Sequence, residues 1–185
     1  TTQKGEARWW VGGGADLTPF YPRKEDATYW HSTWKQACDQ HDAKLYPAFK
    51  KACDDYFYLP HRKEHRGIGG LFFDDWQAQD FKTSFALMQT LTQTLTQSYL
   101  PIVNANQDKP FTPDQKDFQR YRWGRYVEFN LLFDRGTRFG LEFGGRTEAI
   151  LVSMPPEPLW RYNWQPEPDS EEAKLTAFLQ PQAWI

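Results

Sequence analysis

YVEFNLLFDRGTRFGLEFGGRTEAILVSM (residues 126–154) reads as three strands joined by two tight turns. Tyr126–Phe133 is alternating or buried on both faces, and Arg138–Phe143 and Glu148–Met154 follow it. Asp134-Arg135-Gly136 and Gly144-Gly145-Arg146 have the composition of hairpin turns. Upstream the pattern is helical. Residues 24–39 place Ala27, Trp30, Trp34, Ala37 and Cys38 on one face, and residues 43–58 do the same with Leu45, Phe49, Ala52, Cys53 and Tyr56. Pro47 falls in the first turn of that second helix, where proline is tolerated. A long helix over 80–99 would turn Phe81, Phe85, Met88, Leu91, Leu95 and Tyr99 inward, and a short one covers 114–122. Helices followed by hairpin-linked strands predict an α+β fold with an antiparallel sheet. Residues 7–12 form a strand that breaks at the glycines, residues 66–75 are a turn feeding a strand, 104–113 a loop, and 171–178 a last helix.

The 185 residues suit a single domain, 1–185, with a core of its own. A net charge of −2 gives no general attraction to nucleic acid or to a membrane surface, and no apolar run reaches spanning length. Residues 1–8 are polar and do not open a signal peptide. Cys38 and Cys53 lie within helical patterns, as reduced thiols of a cytoplasmic protein would. Arg8–Val11 reads as a strand with little before it, which marks the chain as a fragment. Aromatic residues make up 17% of the chain, more than a core needs, and point to a flat ligand or a wide interface.

No nucleophile elbow, phosphate loop or zinc-helix motif is present. The distinctive local signal is arginine beside glycine. Between 120 and 146, six arginines face three acids, and Arg125, Arg135 and Arg146 each adjoin a glycine. Such a set grips carboxylates through forked donors and bare backbone N–H groups, or else it is a row of solvated strand ends. His31, His41, His61 and His65 follow no metal-ligand spacing: two could meet around a divalent ion, or all could be ordinary core and surface histidines. Asp16 follows Gly12-Gly13-Gly14 among aromatics; it is either a perturbed acid at a site or a turn-forming aspartate.

WWVGGGADLTPFY (9–21), CDDYFYLPHRKEHRGIGGLFFDD (53–75) and RYRWGRYVEFNLLFDRGTRFGLEFGGRTEAILVSMPP (120–156) resemble the oxygen-dependent coproporphyrinogen III oxidase family, and the likeness runs from residue 7 to the C-terminus. The resemblance implies a large antiparallel sheet flanked by helices on both faces, here incomplete because the family's N-terminal third is lacking. It implies oxidative decarboxylation of two propionates of coproporphyrinogen III to vinyl groups, giving protoporphyrinogen IX in haem biosynthesis. Molecular oxygen is the co-substrate, with no organic cofactor and a possible divalent metal. It further implies Asp16 against the pyrrole nitrogens as the catalytic acid, His31 and His61 as metal ligands, and Gly144, Gly145, Arg146, Arg66, Asp134 and Arg135 around the substrate. Residues 126–161 match the family's homodimer segment, and Arg138 stands where some relatives have lysine. The lacking third carries the family's proton-donating histidine, a further metal histidine and a substrate-binding serine and arginine. The chain alone is therefore expected to be inactive. The alternative is a tetrapyrrole-binding fragment or carrier without turnover.

Overall fold

The computed structural model describes residues 8–185. Residue 7, where the first strand was expected to start, lies outside them. Strand β1 (Val11–Asp16) pairs antiparallel with β4 (Gly70–Trp76), with Gly14 opposite Phe72 and Asp16 opposite Gly70. The strand expected to break at Gly12 instead runs through all three glycines. A two-residue ladder joins β2 (Tyr58–Leu59) to β3 (Glu64–His65). Seven helices among the described residues complete an α+β fold. Its antiparallel sheets are small there, each of two strands.

Helices α1 (Lys24–Asp39) and α2 (Leu45–Tyr56) follow their apolar spacing. Ala27, Trp30, Trp34, Ala37 and Cys38 are all buried, and Trp30 meets Trp34 edge-on at 5.5 Å. Phe49 of α2 stacks on Phe73 of β4 at 4.4 Å. These layers form the core, closed from the far end of the chain by Leu175 of α7 (Glu171–Phe178), Leu179 and Trp184.

Helix α3 (Phe81–Asn106) starts at Asp80, whose carboxylate accepts from the Thr83 N–H, and continues past Pro101 well beyond residue 99. Its orientation corrects the sequence reading. Leu87 and Leu91 point inward with Ser84, Thr94 and Ser98, whereas Phe81, Phe85, Leu95 and Tyr99 are exposed. The small hydroxyl residues win the inner face because they let α1, with its large Tyr29, Trp30 and Trp34, pack close. The Thr94 and Ser98 hydroxyls bond back to Thr90 and Leu95 carbonyls, so their burial is cheap.

The larger correction concerns residues 126–154. Helix α4 (Pro113–Leu132) carries the expected short helix straight through the first expected strand. Thr112 and Gln115 form a capping box and Pro113 occupies the first turn, so the helix is well nucleated. Once started, it buries Phe118, Tyr121, Arg122, Arg125 and Phe129, a three- and four-residue spacing that rewards helix over the strand preference of Tyr, Val and Phe. Arg138–Phe143 and Glu148–Met154 fall largely in helices α5 (Arg135–Glu142) and α6 (Thr147–Leu151). Asp134 is the N-cap of α5, accepting from Thr137 N–H at 2.7 Å, rather than a hairpin residue.

Gly70 sets how closely the β4 loop meets β1. A Cβ there would clash with the Ala15 carbonyl oxygen, which only backbone movement relieves. Gly70→Ala is expected to cost about 3 kcal/mol, the upper end of overpacking costs, in urea unfolding.

Candidate active site

The β1–β4 pairing delivers Asp16 to the end of its strand, next to the loop that follows β3. Leu17 N–H bonds Gly69 O at 3.2 Å and Ile68 N–H bonds Leu17 O at 2.9 Å, so that loop is stitched to β1 just beyond Asp16. Arg66, held by its own N–H on Phe57 O at 3.1 Å, closes an ion pair with Asp16. The Arg66 guanidinium is 4.1 Å from the Phe57 ring centre, 4.9 Å from Phe129 and 5.0 Å from Tyr126. Asp16 retains 20% side-chain exposure and Arg66 only 8%, so the acid faces outward from a cation seated in an aromatic cup. Arg66 Nε is buried with no hydrogen-bond partner among the described residues.

Beside this pair lies an open cleft of about 600 Å³, with Gly12, Gly13 and Gly14 on one wall and Tyr56, Phe72 and Arg135 on another. Tyr56 and Phe72 stack at 4.2 Å, and Arg135 reaches over Tyr56 at 5.1 Å to bridge Asp74 at 2.8 Å. Tyr56 O–H donates to Asp134 Oδ1 at 2.9 Å and accepts from the Arg135 N–H at 3.2 Å. Burial raises the Asp134 pKa, but the Thr137 and Tyr56 bonds outweigh it and hold the carboxyl below its ordinary value. Arg135 thus lines the cleft and Asp134 adjoins it through Tyr56, while Asp16 and Arg66 lie off its lining. Tyr56 and Asp74 were not singled out from the sequence; the only hint was the aromatic density of residues 56–58 and 72–73.

Gly144, Gly145 and Arg146 form the bend between α5 and α6, all exposed. Gly144 has φ +73° and ends α5. The backbone donors there are not bare: Gly145 N–H bonds Gly140 O at 2.8 Å and Gly144 N–H bonds Leu141 O at 3.4 Å. The free donor of the bend is the Arg146 guanidinium, which pairs with no acid among the described residues.

The two candidate metal histidines occupy different surroundings. His31 is fully buried, stacked on Trp184 at 5.8 Å. Its Nε2 donates to Ile68 O at 3.0 Å and its Nδ1 accepts from Tyr46 O–H at 3.0 Å. His61 is exposed on Glu128 at 2.7 Å. Both His31 nitrogens are consumed, and no cluster of three His, Cys, Asp or Glu gathers among the described residues. This donor set does not fit a metal ion. The thiols are equally withdrawn: burial pushes Cys38 up to about 12 and Cys53 higher still.

Burial lowers His31 to about 4, against the ordinary 6.5, with the Ile68 bond opposing. A buried neutral histidine contributes stability that is full above pH 6.5 and lost as pH falls toward 4, because the unfolded chain takes up the proton first. About 3 kcal/mol is at stake. Urea unfolding is expected to show the wild type losing that much more than His31→Gln between pH 7.5 and 4.

Strand-paired glycines, a partly exposed carboxylate on a buried arginine and an arginine-tipped aromatic cleft thus lie together in an α+β protein. The model of the coproporphyrinogen III oxidase family matches residues 1–184, and the chain belongs to that family. It is 56% identical over 177 residues to the oxygen-dependent coproporphyrinogen-III oxidase of Francisella philomiragia, covering 96% of this chain and 58% of that protein. The protein of the same name from Coxiella burnetii is 56% identical over 181 residues, 97% of this chain and 58% of its own length. The chain thus spans somewhat over half the length of the curated relatives it matches.

Proposed function

We propose that this chain forms the larger part of an oxygen-dependent coproporphyrinogen III oxidase of haem biosynthesis. Each of two propionates, with O2, gives a vinyl group, CO2 and hydrogen peroxide, so that two electrons and two hydrogens leave the side chain and reduce the oxygen. The observation that carries this reading is the Asp16–Arg66 pair in its aromatic cup. A carboxylate positioned by a buried cation can accept N–H bonds from a reduced tetrapyrrole, then take a proton. Arg66 Nε is a spare buried donor that a substrate carboxylate would satisfy. Arg135, with Asp134 fixing the start of its helix, and the exposed Arg146 after Gly144 and Gly145 supply forks for propionates at the rim. No step is assigned to His31 or His61.

The reaction is tested by incubating a protein of the relatives' full length with coproporphyrinogen III and O2, and following protoporphyrinogen IX. Equal turnover by the 185-residue chain would contradict the expectation that the remaining segment completes the site. Binding of coproporphyrin, followed by its fluorescence, without any decarboxylation in the full-length protein would favour a carrier instead.

The homodimer proposed for residues 126–161 has a matching surface. Leu131, Leu132, Phe139, Phe143 and Val152 are exposed along α4, α5 and α6, with Phe143 at 74% and Val152 at 80%. Phe139→Ser with Phe143→Ser is expected to halve the mass seen in light scattering after size exclusion; an unchanged dimer would place the interface elsewhere. A cytoplasmic setting is proposed from the two free, buried cysteines. No helix among the described residues is long and apolar enough to cross a membrane.

A further inference from the structure

We infer that a second pocket, on the face formed by β3, α4 and the start of α7, binds a small oxyanion of phosphate size. Its volume is about 280 Å³, and its charged lining is Arg62, Arg122, Arg125 and Arg161 against Glu64 and Glu172. Four guanidiniums facing two carboxylates is an unusual ratio for a cavity wall, and the acids are already engaged. Glu64 accepts Arg122 Nη1 on both oxygens at 3.0 and 3.1 Å, and its Oε1 also takes Arg125 Nε at 2.9 Å. Glu172 accepts from Tyr21 O–H at 2.5 Å.

The arginines differ in what they have left. Arg125 is complete, with Nη1 on Glu128 at 3.5 Å and Nη2 on the Tyr121 hydroxyl. Arg62 forks onto Glu128 at 2.6 and 2.9 Å, and Arg161 reaches Asp117 at 3.1 Å with one nitrogen. Arg122, only 6% exposed, keeps its Nη2 buried with no hydrogen-bond partner among the described residues. A buried charged donor left unmade is expensive, and two guanidiniums on one carboxylate leave a positive excess. A compact anion with several acceptor oxygens answers both costs. The pocket lies at the lower limit of drug-sized sites, roughly 300 Å³, so it suits an ion and not a tetrapyrrole. This inference stands apart from the proposed oxidase reaction, since none of these arginines is assigned to it.

The test is thermal unfolding of the chain in rising inorganic phosphate, with ionic strength held constant by chloride, alongside Arg122→Gln and Arg161→Gln. The wild type is expected to gain about 3–5 °C once phosphate is tenfold above its dissociation constant. Both variants should lose that gain. Arg161 lies at the half-open rim outside the Glu64 network, so its variant serves even if Arg122→Gln fails to fold. Acetate in a parallel arm separates a site for phosphate-like ions from one that takes any carboxylate; a gain with either anion that the variants abolish supports the pocket. No gain over chloride, or an equal gain in the variants, overturns it.

Discussion

Asp16→Asn, made in a protein of the relatives' full length, is expected to lower turnover by about 10²–10⁴-fold while the chain stays folded. Asparagine keeps the size and one acceptor oxygen of the side chain but cannot take a proton. It also leaves Arg66 facing a neutral group, yet Asp16 is partly exposed, so water compensates and the fold survives. Steady-state rates on coproporphyrinogen III, with circular dichroism as the control, check both halves. Turnover within threefold of wild type would remove Asp16 from the chemistry.

Glu64→Gln is expected to be the most damaging single change to stability, at about 3–5 kcal/mol. Arg122 and Arg125 are each nearly sealed from water and share this carboxylate; an amide leaves Arg122 with no anion and Arg125 with only its 3.5 Å contact to Glu128. Denaturant unfolding at neutral pH measures the loss. A cost below 1 kcal/mol would mean that water reaches the cluster. Glu128 does not replace Glu64, because its shorter bonds go to Arg62, His61 and Trp160 and it meets Arg125 only at 3.5 Å. Burial alone would raise Glu128, but those bonds bring it down to about 2.

The helices α1 and α2 were legible because large apolar residues repeat at helical spacing and nothing else in those segments competes. Residues 126–154 misled because valine, phenylalanine and glycine-bearing turns carry the same composition in a hairpin and in short helices broken by Gly144. The capping pair Thr112 and Gln115, and the Phe118–Tyr121–Arg125–Phe129 spacing, were the signals for a helix, but they compete with strong strand preferences. On α3 the most apolar stripe predicts the inner face, yet packing against tryptophan-rich α1 selects the slimmer one. Asp16 stood out through its neighbours in sequence. Its partner Arg66 lies 50 residues away, and Glu64 meets Arg122 across 58, separations at which no local pattern announces a pair.

The decisive measurement is a crystal structure of the full-length protein with bound coproporphyrin III, the oxidised form of the proposed substrate. The expected result puts the ring nitrogens within about 3 Å of the Asp16 carboxylate, hydrogen-bond distance, with Arg66 behind it. A macrocycle bound elsewhere, with Asp16 still closed on Arg66 and touching no ligand, would contradict the account.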